Sequence, residues 1–267
     1  MSDDVSQVAQ ATTVSRAVYW PRFPLCPDLR RPLNPKGCCL RPDDPPKRPD
    51  PGLYSQSERF AAGQSLTWDS PDITTNLSGS LDENVVVTVR NYSNEAAALG
   101  TQVQLDYSSF GIGFPRQSLG IQTVDLNKAG LNPDERSIEF FLPQSIRDKF
   151  GHLSVFVTVH HPHDRNANNN TGEQAWSASP ANDGQAASFA FQLRNSLAQA
   201  TTFDLVVLEA TWSAALSDNQ VILAAGQVRN LMLNVQVPVG ASGQQHFNVV
   251  ALVNGALFGG VHHRFDV

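Results

Sequence analysis

Three histidines, an aspartate and four asparagines fall within the eleven residues HHPHDRNANNN at positions 160–170. By side-chain type this is the stretch best suited to hold a metal ion. For a transition metal it offers His160, His163 and Asp164 as candidate ligands, with His161 between them. Successive side chains on a strand point to opposite faces, so His160 and His161 cannot reach one ion unless the chain bends at Pro162. For calcium it offers Asp164, Asn166, Asn168 and Asn170 at alternate positions. The EF-hand template also requires Gly at its sixth position and Glu at its twelfth, where this chain has Asn169 and Ala175. The reading that fits better is a polar hairpin whose asparagines tolerate left-handed backbone and bond their own main chain. No metal and no cofactor is expected.

Other chemistry has less to stand on. The three cysteines, Cys26, Cys38 and Cys39, contain no C-x-x-C pair and have no histidine at zinc-ligand spacing. Their odd number leaves at least one thiol unpaired within the chain. Neither a G-x-S-x-G nucleophile elbow nor a G-x-x-x-x-G-K-[ST] phosphate loop occurs. FGIGFP at 110–115 reads as a turn with aromatic plugs. His262 and His263 straddle a final strand. Trp68, Trp176 and Trp212 could stack on a sugar, although tryptophans spaced this widely are more often core or interface. The catalytic and cofactor sets are empty, and the expectation is a protein that is not an enzyme.

The hydrophobic fraction of 41% over 267 residues is enough for more than one core. Val, Thr, Gln and Asn are plentiful and long helix-forming blocks are missing, which favours strands. NVVVTVRNYS at 84–93 alternates strictly, with Val85, Val87 and Val89 on one face. TQVQLDYSSF puts Val103, Leu105 and Tyr107 together, and LSVFVTVHH does the same for Val155, Val157 and Val159. SASPANDGQ at 177–185 reads as a linker, after which the pattern restarts. In the closing segment Asn254 and Gly255 lie between two apolar strands, the pair that a type I′ hairpin prefers. The fold class is all-β: two tandem Ig-like antiparallel β-sandwiches over residues 66–178 and 179–267, with an irregular Pro-rich N-terminal arm over residues 1–65.

Ten of the seventeen prolines fall between positions 21 and 51, which excludes helix and central strand there. Residues 21–51 carry a balance of +3, which leaves −9 on the rest of a chain whose formal charge is −6. Bulky apolar residues also occur in the arm. Tyr19, Trp20, Phe23, Leu25, Leu33 and Leu40 are the expected interaction residues, suited to packing along a sheet edge in the same molecule or in a neighbour. Nucleic acid is not an expected partner, since no basic stripe is interleaved with aromatics. Membrane insertion is not expected either, since no apolar run is long enough. The acidic start shows no signal peptide, so the chain is expected in the cytoplasm at synthesis, with export by another route left open.

TWDSPDI (67–73), VVVTVRNYSNEAAALGTQVQLDYSSFGIG (85–113) and NANNNTGEQ (166–174) together resemble the CARDB-type bacterial Ig-like domain. In that family a valine-rich V-x-V-x-N strand runs into a polar turn, and an Asn-Asn pair closes the last hairpin. PDPGLYSQ (49–56) looks like the segment that precedes such a domain. FQLRN, LAAGQVRNLMLNVQVPVG and GALFGGVHH are similar to a second bacterial Ig-like module. The resemblance implies interaction, adhesion or spacer modules. Two functions follow as expectations: a structural protein that assembles with copies of itself or with a larger bacterial or phage-like complex through the arm, or a carbohydrate-binding or adhesion accessory module.

Overall fold

The computed structural model describes residues 47–77, 81–208 and 210–267. Among these, short helices are α1 (Gln56–Ala61) and α2 (Gln144–Arg147), and everything else regular is strand or one 3-10 turn. The first half of the described chain contains β1 (Pro51–Gly52), β2 (Ile73–Thr74), β3 (Asn84–Asn91), β4 (Ala98–Ser109), β5 (Gln117–Leu126), β6 (Asp134–Phe141), β7 (Leu153–His160) and β8 (Thr171–Gln174). One sheet is built on β3, flanked by β1 and β2 on one edge and β6 on the other. The second sheet has the order β5-β4-β7-β8.

The alternating strands close on one another as their period requires. Val85, Val87 and Val89 from β3 meet Val103, Leu105 and Tyr107 from β4 and Val155, Val157 and Val159 from β7, and all are buried. Each such side chain contributes about 1.5–3 kcal/mol by leaving water. β7 also buries Phe156 on its other face, beneath the Arg116 guanidinium at 3.9 Å from the ring. Phe156 shares a cleft with Arg116, Trp68 and, from the second half of the chain, Leu257 and Phe258, while further along the same face Thr158 is half-buried and His160 exposed.

The second sandwich contains β9 (Trp176–Pro180), β10 (Ala186–Arg194), β11 (Thr201–Leu208), β12 (Ser213–Leu216), β13 (Gln220–Leu223), β14 (Val228–Gln236), β15 (Gln244–Val253) and β16 (Ala256–Asp266). β10-β14-β12 packs against β13-β11-β15-β16-β9. Phe189, Phe191, Phe203, Phe247 and Phe265 fill the space between them. The β15–β16 turn has positive φ at Asn254 (51°) and Gly255 (77°), as a two-residue I′ hairpin demands.

Three features differ from the sequence expectation. First, the end of the expected arm belongs to the first sandwich: Pro51 and Gly52 pair with Asn91 and Arg90 of β3, and α1 follows. Second, no linker separates the sandwiches. Strand β8 ends at Gln174 and β9 begins at Trp176, so one residue, the fully buried Ala175, carries the chain from one sheet to the other. Ser177 to Pro180 are paired strand, parallel to β16 where an all-antiparallel sandwich was expected. Third, the second core takes residues from the first half. Leu66 and Trp68 lie in it, as does Ile112, whose N–H donates to Gln192 O and whose carbonyl accepts from Arg194 N. The FGIG turn is thus a plug: Phe110 meets Phe189 edge-on at 6.0 Å.

Candidate functional site

The stretch at 160–170 is a clasp for residues 48–58, where the chain enters the first sandwich. His161 is buried, and both its ring nitrogens are engaged: Nδ1 accepts from His163 N at 3.2 Å and Nε2 donates to Leu99 O at 3.1 Å. Asp164 Oδ1 accepts from Asn166 N at 2.9 Å, and its Oδ2 accepts from Asn170 Nδ2 at 2.6 Å. Arg48 donates to the carbonyls of His163 and Asp164. Asp50, almost fully buried, accepts from Arg165 Nε and from Asn169 Nδ2, both at 2.9 Å. Leu53 N donates to Asn169 O, and Ser55, which caps α1, donates its hydroxyl to Asn168 O. Gly52 lies so close to Asn169 that any Cβ there would overlap its carboxamide. Of the candidate metal ligands, His160 and His163 are exposed and Asp164 is occupied within its own loop. The structure does not bring the three together as a ligand group.

A different cluster forms where the two sandwiches meet. β15 and β16 pair Asn248 with His262 and His246 with Arg264. The four side chains therefore share one face of that sheet, and the segment around residues 67–70 runs across it. Trp68 N donates to Asn248 Oδ1 at 3.2 Å, and the same oxygen lies 3.0 Å from His262 Nδ1. His262 Nε2 is 2.9 Å from His246 Nδ1. Asp69 completes the group; one ligand atom from each of Asp69, His246 and His262 lies within 4.8 Å of the others. A cleft of about 320 Å³ opens beside it, lined in part by Ser70, Gln174, Trp176 and Arg264. Burial, with help from His246, His263 and Arg264, lowers His262 to about 3, so its ring is neutral.

Two further groups flank the junction, the buried His263 and the half-buried Glu173. His263 faces away from His262; it stacks on Phe189 at 4.1 Å and bonds the hydroxyls of Ser177 (2.7 Å) and Ser179 (2.9 Å). Glu173 accepts from Trp68 Nε1 at 3.1 Å. Burial pushes its carboxyl up to about 7, against the opposing pull of Arg116 and of the indole N–H.

The tryptophans do not make a stacking platform as a set. Trp68 is fully buried in the second core, Trp176 is half-buried with Arg264 over its ring at 5.6 Å, and Trp212 packs edge-on to Phe247. The expected interaction residues Tyr19, Trp20, Phe23, Leu25, Leu33 and Leu40, together with the three cysteines, lie outside the described residues. Among the described residues no helix is long and apolar enough to cross a membrane.

No protein-family model matches the chain, and no curated protein matches it. Solved structures with distant likeness include a Caenorhabditis elegans member of the MSP family (TM-score 0.27, 9% identity), over 34% of this chain and 91% of that one. Escherichia coli alpha-2-macroglobulin activated by porcine elastase matches at TM-score 0.26 and 10% identity, over 82% of this chain and 22% of that one. A protein of unknown function from Porphyromonas gingivalis matches at TM-score 0.26 and 9% identity, over 73% of this chain and 96% of that one. At these scores the likenesses carry no argument; the β-sandwich architecture rests on the strands described above.

Proposed function

We propose that the protein is a non-enzymatic interaction protein of CARDB-like, Ig-like modules, in which the N-terminal arm binds copies of the same chain or a larger assembly. The observation that supports it is the clasp. Within the stretch richest in chemistry, the side chains of Arg165, Asn166 and Asn169 and the carbonyls of His163, Asp164 and Asn168 bond residues 48–58 and hold the start of the first sandwich, from which the arm extends. A fixed point of departure limits the orientations lost when the arm engages a partner, which favours binding. The interaction residues are Tyr19, Trp20, Phe23, Leu25, Leu33 and Leu40, and the arm's positive balance suits an acidic partner surface such as the remainder of this chain.

The test replaces those six residues by serine in the full chain and compares mass by light scattering, with hydrogen exchange on the unmodified protein. The expected outcome is a mass above the 29.0 kDa of one chain, reduced in the serine variant, and protected amides in the arm. Random-coil exchange in the arm, with no change of mass or stability on substitution, would overturn the reading.

A further inference from the structure

We propose that Asp69, His246 and His262 form a binding site for a divalent transition metal, of which zinc is the best fit, with one coordination position facing the cleft beside Gln174 and Trp176. The site lies apart from the 160–170 stretch, and the proposal is independent of the role of the arm.

The arrangement of hydrogen bonds shows which nitrogen is available. Trp68 N–H donates to Asn248 Oδ1, which identifies that atom as the amide oxygen. The same oxygen faces His262 Nδ1 at 3.0 Å, so Nδ1 carries the hydrogen and Nε2 carries the lone pair. That lone pair points at His246 Nδ1, 2.9 Å away. Two ring nitrogens this close require a proton or a cation between them. A carbonyl oxygen holding the far N–H of a histidine is the usual support behind a metal-bound imidazole, because it fixes the tautomer and raises the basicity of the ligating nitrogen.

The geometry needs little adjustment. Zinc–nitrogen bonds of about 2.0–2.1 Å at a tetrahedral angle separate two ligand nitrogens by roughly 3.3–3.4 Å, so the histidine pair must open by about 0.4–0.5 Å. His246 is exposed and can supply that movement, while His262 is buried and held. Asp69 is exposed on the loop after Trp68. One of its carboxylate oxygens accepts from Gln174 Nε2 at 3.2 Å, which keeps the anion beside the histidines. Arg264, on the same face, is paired with Asp266 at 3.0 Å. Two imidazoles and one carboxylate favour a borderline metal such as zinc over calcium or magnesium, which take oxygen ligands. Three protein ligands leave a position for water or a small ligand, and the adjoining cleft gives access to it.

The test uses the metal-stripped full chain titrated with Zn²⁺ by calorimetry, with Co²⁺ as a spectroscopic reporter of tetrahedral geometry. The expected result is one equivalent bound, with visible cobalt bands that zinc displaces. His246→Ala and Asp69→Asn, both exposed positions, should each weaken binding at least tenfold, while His163→Ala should leave it unchanged. Melting curves of each variant without metal establish that the fold is retained. Absence of saturable one-equivalent binding, wild-type affinity in a folded His246→Ala variant, or loss of binding in His163→Ala would overturn the assignment.

Discussion

Replacing Gly260 by alanine isolates one of the contacts that join the two sandwiches. Gly260 has no positive φ, so its backbone accepts alanine without strain and the effect is steric. A Cβ at that position would lie 2.6 Å from both Cζ2 and Cη2 of Trp68 and 2.7 Å from Cε2. Carbon atoms in contact settle about 3.5–4.0 Å apart, so ring and strand must separate by about 1 Å. Neither is free to move. The indole is fully buried, its Nε1 donates to Glu173, and its backbone N–H donates to Asn248. Overpacking of a closed core costs about 1–3 kcal/mol, and the restraint on both partners argues for the upper half of that range. For a folded body of this size the melting temperature should fall by roughly 4–12 °C. The assay is thermal and urea melting followed by circular dichroism on wild type, Gly260→Ala, Trp68→Phe and the double variant. Phenylalanine lacks the outer ring of the indole, so the double variant should recover at least about 1 kcal/mol relative to the sum of the single losses. A Gly260→Ala protein that melts within a degree of wild type, or single losses that simply add, would refute the reasoning.

Two other outcomes can be measured on the same samples. The folded pKa of Glu173 lies above its ordinary value of 4.5, so its stabilising contribution is complete below about pH 4.5 and is lost as pH rises through 7. Glu173→Gln removes that slope, so its melting temperature relative to wild type should climb between pH 5 and pH 8, by an amount equivalent to at most about 3 kcal/mol. A constant or falling difference would contradict this. Asp50→Ala leaves Arg165 and Asn169 without their carboxylate partner, so it should cost about 1–3 kcal/mol. It should also speed hydrogen exchange at Leu53 N more than at amides in the β15–β16 hairpin; equal effects at both places would remove the clasp from the account.

The strands of both cores were legible because burial follows the two-residue period directly; Val85, Val87 and Val89 are inside for the reason their alternation gives. The polar hairpin at 160–170 was legible as well, though not what it holds, because its partners lie more than a hundred residues earlier, as in the Arg165–Asp50 pair. The His246–His262 pair was hidden by one residue. Counting outward from the Asn254–Gly255 turn in even steps sets His262 opposite Phe247, on the core face. A bulge between Ala251 and Leu252 shifts the register, and His262 then stands opposite Asn248. A one-residue slip moves every later side chain to the other face. Nothing in the order of residues 251–259 fixes where that slip occurs, so the face of each histidine could not be derived. Trp68 failed to read as a junction residue for another cause: it lies within the chain of the first sandwich, between β1 and β2, yet packs in the second core.

The placement of Trp68 and Ala175 bears on how the protein is made. The backbone of Trp68 finds its partner Asn248 only 180 residues later in synthesis, and the strand that begins at Trp176 must wait for β16, which starts at Ala256. A nascent chain halted between the two can close its first valine-rich core, but it carries an unsheltered indole and an unpaired strand end until β15 and β16 have been made. For the same reason a fragment starting after Pro180 would lack both Trp68 and a sheet edge. The two sandwiches mature as one product and cannot be traded between chains as separate cassettes.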